Sequence, residues 1–179
     1  MYFSSYKKDI RLKKNNEYTL YNNILSLSRN RLFYTKFLLS DTFQNRINLI
    51  FFHISFIFIK IKQTKKKVDV KKFDQNLFDL IFNQIELNMR ELGLGDVTVN
   101  KKMKFLVKSF YSILLFCEDY SKKSREYKIS FFNQYLKSNF MENTANNKFL
   151  IIYFNDFKTF CSDLSLNSVL KGDLKFEFN

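Results

Sequence analysis

The glycines at positions 93 and 95 constrain the fold more than any other feature, because the chain has only three glycines and no proline. β-Rich folds use Gly and Pro in their many turns, so this scarcity favours long helices joined by a few specialised turns. Gly93 follows an apolar helical pattern and predicts a helix end in the left-handed conformation. Gly95 allows a second unusual backbone angle. Asp96 and Thr98 are the candidate N-caps of the next helix.

Apolar spacing predicts an all-α, single-domain bundle of about six or seven helices around a buried central helix at 41–61. Asp41 is the expected N-cap of this central helix, with Gln44 three residues later. A strand over 54–62 is the competing interpretation, which the length of the run and the upstream cap disfavour. The predicted helices span residues 18–27, 31–38, 41–61, 72–92, 99–120, 127–138 and 147–164.

Charge and periodicity suggest three parts of the chain. Residues 1–16 are expected to form a basic, loosely ordered arm, 17–165 the helical domain, and 166–179 an irregular tail. Within the domain, Lys60–Lys72 holds seven lysines against one Asp and is interpreted as a linker between helices. Its charge fits either a solvated loop or a docking patch.

The net charge of +13 and the pI of about 9.6 indicate an acidic partner such as nucleic acid, anionic lipid or the ribosome surface. Only six of the 30 basic residues are Arg. Arg is the side chain that reads bases through two parallel hydrogen bonds, so specific DNA binding is not expected.

No pattern for catalysis, a metal or a cofactor stands out in the sequence. Cys117 and Cys161 lack metal-ligand spacing and are expected to be buried free thiols. The lone His53 is interpreted as structural. The apolar run Ile47–Ile59 would span only ~20 Å as a helix, against ~30 Å of bilayer hydrocarbon, so we expect a core helix. Neither a secretory signal nor a transit peptide is evident.

Lysines concentrate just after the glycine pair. Lys101, Lys104 and Lys108 recur at helical spacing and form a positive stripe. Near a helix N-terminus, such cations favour a carboxylate, a phosphate or an acidic protein face. In the alternative reading they are solvated, or neutralised by Glu91 and Asp96.

With these segments in place, the chain resembles the ubiquinol–cytochrome c chaperone family, the assembly factors of the cytochrome bc1 complex. The resemblance extends from about Tyr18 to Leu164 and is most specific at 90–111. The motifs that carry it are Leu20-Tyr21-Asn22 with Phe33-Tyr34, Asp41-Thr42 with Arg46, Leu49 and His53, and Arg90-Glu91-Leu92-Gly93-Leu94-Gly95-Asp96 with Val99, Lys101, Met103, Lys104 and Phe110-Tyr111.

The resemblance implies a non-enzymatic helical chaperone without a cofactor. Its implied partners are newly made cytochrome b or another bc1 subunit, a partner assembly factor, or the ribosome. A basic RNA- or ribosome-binding module and a peripheral protein on anionic membrane remain the alternatives. The expected location is the bacterial cytoplasm at the inner membrane, or the mitochondrial matrix in a eukaryote.

The site residues divide into two groups. The candidates for partner binding are Arg90, Asp96, Lys101, Lys102, Lys104 and Lys108. The residues with an expected structural role are Asp41, Arg46, His53, Gly93, Gly95, Thr98, Phe110 and Tyr111.

Overall fold

Helices surround one almost fully buried helix. The computed structural model describes residues 16–63, 68–138 and 144–178. In these ranges the α-helices are α1 (Asn16–Ser28), α2 (Leu32–Thr35), α3 (Phe43–Lys62), α4 (Val68–Glu91), α5 (Asp96–Glu118), α6 (Arg125–Tyr135), α7 (Thr144–Asp163) and α8 (Leu166–Leu170), with a 3₁₀ turn at Tyr120–Lys122. Extended pairing within the described residues is limited to one bridge between Leu39 and Ser138. The prediction of an all-α bundle is confirmed.

Helix α3 is the centre of the bundle. Every side chain from Ile47 to Phe58 is buried, and the helix packs most extensively against α5, with α1, α4, α7 and α8 around it. Burying one Phe or Ile side chain contributes roughly 1.5–3 kcal/mol, so this run supplies much of the driving force for folding. The strand interpretation of 54–62 is wrong. No described helix combines the length and apolarity needed to cross a membrane.

The start of α3 differs from the prediction. Thr42 is the N-cap, in extended conformation, and its hydroxyl accepts a hydrogen bond of 3.2 Å from the Asn45 amide. Asp41 lies one residue too early for this role. Its carboxylate instead accepts two hydrogen bonds from the Arg46 guanidinium, at 2.6 and 2.8 Å.

Two buried asparagines of α3 hold the end of α6. Nδ2 of Asn45 donates to the carbonyls of Ser40 and Lys137, both at 2.7 Å, and its Oδ1 accepts from the Lys137 amide at 2.9 Å. One turn on, Asn48 donates to the Tyr135 carbonyl at 2.6 Å. Because α6 ends at Tyr135, these amides satisfy backbone groups that the helix end leaves without partners.

The predicted Lys60–Lys72 linker is shorter than expected. Helix α3 continues to Lys62 and α4 begins at Val68, while residues 64–67 lie outside the described ranges. Val70 and Phe73 are buried, so core contacts extend the apolar stripe of α4 towards its N-terminus. Lysine favours the helix intrinsically and does not oppose this extension.

The C-terminal segment is not wholly irregular, as α8 occupies its first residues. Beyond α8, Leu174 is buried and the ring of Phe178 lies 5.0 Å from that of Tyr153 on α7. Gly172, at φ 74°, lies against the backbone of α1 so closely that an added Cβ would be 2.7 Å from the Asn16 carbonyl oxygen. Tertiary contacts thus order this segment, and they leave no periodic signal in sequence. The predicted 1–16 arm lies outside the described residues except for Asn16.

Candidate partner-binding surface

The turn between α4 and α5 begins with the predicted helix end. Gly93 adopts φ 80°. Its amide donates to the Arg90 carbonyl at 2.9 Å, and the Leu94 amide donates to the Met89 carbonyl at 3.2 Å. These two bonds define a Schellman motif, whose apolar pair is the buried Met89 and the partly buried Leu94. The predicted stop at Gly93 is confirmed.

The predicted N-caps Asp96 and Thr98 are wrong, and Gly95 does not adopt the unusual backbone angle that a glycine allows. Gly95 has φ −70° and ψ 158°, an extended conformation open to any residue, and it is itself the N-cap of α5. Asp96 is the first helical residue and Thr98 lies inside the first turn. The helix starts three residues earlier than predicted, because only Gly95 separates Asp96 from Leu94, the last residue of the Schellman motif.

Arg90 spans this turn. Its guanidinium donates to Glu86 Oε1 at 3.1 and 2.9 Å, and through Nη1 to Asp96 Oδ1. The hydrogen bond that Arg90 donates to Asp96, followed by those it donates to Glu86, raises the pKa of Arg90 above its ordinary value. Asp96 also lies at the positive end of the α5 dipole, where a carboxylate is favourable. The pair therefore ties the end of α4 to the start of α5.

The predicted lysine candidates are all on the surface of α5. Lys101, Lys102, Lys104 and Lys108 are exposed, and none forms an ion pair within the described part of the chain. Since α5 begins at Asp96, they start in its second turn, where the dipole effect is already weak. Asp96 is engaged by Arg90 and does not neutralise them.

An apolar groove beside these lysines was missed by sequence reasoning. Its volume is about 530 Å³. Val97 is 85% exposed and Phe105 59% exposed, so large apolar side chains meet solvent at its rim. Both residues fall off the core face of α5, which is the signal that could have found them. The residues that line the groove are Phe43, Gln44, Met89, Val97, Thr98, Lys101, Lys102, Phe105 and Leu106.

Two of the predicted structural residues, Phe110 and Tyr111, lie side by side on α5 but differ in burial. Phe110 is buried, and its ring centroid lies 5.4 Å from that of Phe51 and 5.6 Å from that of Phe78. Tyr111 is 51% exposed, so it belongs to the outer face of α5. The ring of Phe110 fixes the helix on the core and leaves Tyr111 outward.

His53 and the cysteines lie in the interior, away from this surface. Nδ1 of His53 hydrogen-bonds the Leu49 carbonyl at 2.6 Å, and Nε2 the Tyr153 hydroxyl at 2.7 Å. Cys117 and Cys161 are buried free thiols, as predicted, and burial raises the pKa of each. A raised pKa keeps a thiol protonated and unreactive.

The sequence profile of the family described as Ubiquinol-cytochrome C chaperone matches residues 35–148. The match includes α3, the Gly93 turn and every residue of the groove. The chain belongs to this family. No curated protein sequence matches the chain.

One solved structure shares the fold of this chain. The crystal structure of the Cbp3 homolog from Brucella abortus superposes with a TM-score of 0.76 at 19% identity, over 99% of this chain and 97% of that one. At this identity the likeness shows the fold alone. Family membership, in turn, supports a role in assembly of the bc1 complex rather than an enzymatic one.

Proposed function

We propose that this chain is an assembly chaperone of ubiquinol–cytochrome c reductase, the bc1 complex, and that it binds newly made cytochrome b. The observation that carries the proposal is the family match over residues 35–148. A chaperone of this kind acts by binding and release, so it needs an accessible surface rather than a catalytic centre.

The proposed binding surface comprises the turn and the exposed side of α5. Lysines that form no ion pair with any described residue lie beside an apolar groove of about 530 Å³. This combination suits a polypeptide that is not yet assembled, because such a client exposes apolar side chains and needs charge complementarity for selectivity. The residues proposed to bind the partner are Arg90, Asp96, Lys101, Lys102, Lys104 and Lys108.

Deletion of the gene tests this function. We expect lower amounts of assembled bc1 complex and of spectroscopically detected cytochrome b, restored by the wild-type gene on a plasmid. Cytochrome c oxidase, measured in the same membranes, controls for a general loss of respiratory enzymes. Normal bc1 complex and cytochrome b in the deletion strain would refute the proposal.

The net charge of +13 favours a second candidate, a ribosome- or RNA-binding module without client specificity. The affinity of such binding falls steeply with salt concentration, because added salt reduces the free energy gained when bound counterions are released from the RNA. Co-sedimentation with ribosomes at increasing salt, together with in vivo crosslinking from Lys104, separates the two. Crosslinks to ribosomal RNA or ribosomal proteins without cytochrome b would favour the module.

The proposed location is the membrane surface at which bc1 subunits assemble.

A further inference from the structure

One row of exposed side chains runs the length of α5. Successive members are four or three residues apart in alternation, the spacing that places side chains along one side of a helix and forms the seam between two packed helices. From Val97 to Leu115 the row is about 27 Å long. We call it the α5 row; its members are Val97, Lys101, Lys104, Lys108, Tyr111 and Leu115, all exposed.

The order of side chains in the row defines what could cover it. Val97 stands at one end, with Tyr111 and Leu115 at the other, and Leu115 is 64% exposed. The three lysines occupy the middle. A wholly apolar partner would bury these charges without compensation, which is strongly unfavourable. A matching helix therefore needs apolar side chains towards its ends and carboxylates between them.

The apolar groove lies along one flank of the row. Phe105 and Phe43 stand at its rim, and Met89 and Leu106 are buried beneath. Lys101 contributes to both the row and the groove. A bulky apolar side chain entering there would be the kind of enclosed anchor that dominates binding energy at interfaces.

A lipid surface fits this arrangement less well. In a helix that lies in the membrane interface, the apolar side inserts and the cations occupy the opposite or flanking side. Here the lysines lie in the same row as Val97 and Leu115, so insertion of the apolar ends would bring Lys104 into the hydrocarbon. The row and groove together match the recognition of an amphipathic helix by an apolar groove.

We infer that the α5 row docks one acidic amphipathic helix of a partner protein. Its carboxylates face Lys101, Lys104 and Lys108, and one bulky apolar side chain enters the groove beside Phe105. The inference rests on the proposed function and deepens it, because it specifies the chemistry of the segment that the chaperone recognises.

The first test places a photocrosslinker at position 105. In the full-length protein, Phe105→p-benzoylphenylalanine is irradiated in living cells, and the captured peptide is sequenced by mass spectrometry. Ile152, an exposed apolar residue on α7, gives the matched control when replaced in the same way. We expect one peptide from position 105, with Asp or Glu recurring every three or four residues beside Leu or Phe, and none of it from position 152.

Several results would overturn the inference: a lipid or nucleic-acid adduct at position 105, a peptide without such carboxylates, the same peptide from position 152, or no adduct at position 105. Each would show that the row is covered by something else or stays uncovered.

The second test reverses charge on both sides. The triple variant K101E/K104E/K108E should bind a synthetic copy of the captured segment about tenfold more weakly or worse. A copy whose carboxylates are replaced by Lys should bind the triple variant and not the wild type. The variant R31E/K148E/K171E makes the same change of charge at three exposed basic residues elsewhere and should bind like the wild type. Equal weakening in both triple variants would show that binding depends on net charge alone, and it would overturn the assignment of the α5 row as the docking surface.

Failure of this inference can be told apart from failure of the proposed function. If deletion of the gene lowers the amount of bc1 complex but expression of K101E/K104E/K108E restores it fully, the chaperone function stands and docking on the α5 row is wrong. If deletion leaves the bc1 complex normal, the proposed function itself falls.

Discussion

The Tyr153 hydroxyl donates a hydrogen bond of 2.7 Å to Nε2 of His53, a residue 100 positions earlier in the chain. Because the Leu49 carbonyl can only accept, Nδ1 of His53 carries a proton, and because burial lowers the pKa of His53 the ring is neutral and Nε2 is the acceptor. Both side chains are buried, so the pair links α3 to α7 inside the core. The sole histidine of this chain is thus held as a neutral imidazole.

This burial predicts a specific dependence of stability on pH. Burial lowers the pKa of His53 from 6.5 to about 4, partly offset by the hydrogen bond to Leu49. Between these pH values the unfolded chain binds a proton that the folded chain does not. The stability of the fold is therefore at its full value above pH 6.5, and it decreases as the pH falls towards 4. We expect the free energy of unfolding to drop by about 2.5 kcal/mol from pH 7 to pH 4.5 through this residue.

Urea denaturation of the wild type and of His53→Leu at several pH values measures this contribution. The carboxylates titrate in both proteins. The difference between the two slopes of unfolding free energy against pH therefore gives the contribution of the imidazole alone. The variant should lose less stability on acidification, whatever its stability at pH 7. Parallel slopes would contradict the assignment of a buried neutral His53.

Tyr153→Phe should destabilise the fold through the same pair. It removes one hydroxyl and leaves Nε2 of His53 buried without a donor, at a cost of about 1–3 kcal/mol. Tyr127→Phe is the matched control, because Tyr127 is 51% exposed and its change should lie within about 0.5 kcal/mol of zero. Urea midpoints at pH 7 give both values, and equal midpoints for the two variants would refute the prediction.

Sequence reasoning located the helices well and the polar contacts of the core poorly. The central helix and the stop at Gly93 depend on local signals, namely apolar periodicity and one glycine in the left-handed conformation. The roles of Asn45 and Tyr153 depend on partners about 90–100 residues away, which a single sequence does not pair.

The candidate surface, too, has a part that local sequence signals predict and a part that depends on residues distant in the chain. The lysines of α5 could be placed on its outer side from spacing alone. The groove could not, since Phe43 comes from the start of α3 and Met89 from α4, and only their packing brings them beside Phe105.

The two glycines of the turn should respond differently to substitution. Gly93→Ala places a Cβ on a residue at φ 80° and should cost about 1–2 kcal/mol. Gly95 has φ −70° and open space around it, and it occupies the N-cap. Gly95→Ser supplies a capping hydroxyl and should be neutral or stabilising by a few tenths of a kcal/mol. Thermal and urea unfolding of both variants check this, and a loss of stability in Gly95→Ser equal to that in Gly93→Ala would contradict the observed backbone.

Asn45→Ala should be among the most destabilising polar substitutions in the chain. The Asn45 side chain is buried and makes three hydrogen bonds to backbone groups of Ser40 and Lys137. Its loss leaves those groups unsatisfied, which predicts about 2–4 kcal/mol. Asn83→Ala, an exposed residue on α4, serves as the control. Hydrogen exchange should be faster at the Lys137 amide in Asn45→Ala. An unchanged rate would count against the hydrogen bonds between Asn45 and the Lys137 backbone.

Arg90 allows stability and function to be separated at the turn. Exposed ion pairs contribute little to folding, so Arg90→Ala should leave the urea midpoint close to that of the wild type. The guanidinium nevertheless fixes the start of α5 through Asp96, and with it Lys101 and the groove. We therefore expect Arg90→Ala to reduce the amount of bc1 complex restored in a deletion strain.

Arg90→Lys sharpens this prediction. It keeps the charge but lacks the planar fork that reaches Glu86 and Asp96 together. If positioning of α5 is what matters, Arg90→Lys should restore bc1 complex as poorly as Arg90→Ala, at wild-type protein levels and with an unchanged urea midpoint. Full restoration by Arg90→Lys would show instead that only a positive charge is needed at this position, and Arg90 would then act like the exposed lysines of α5.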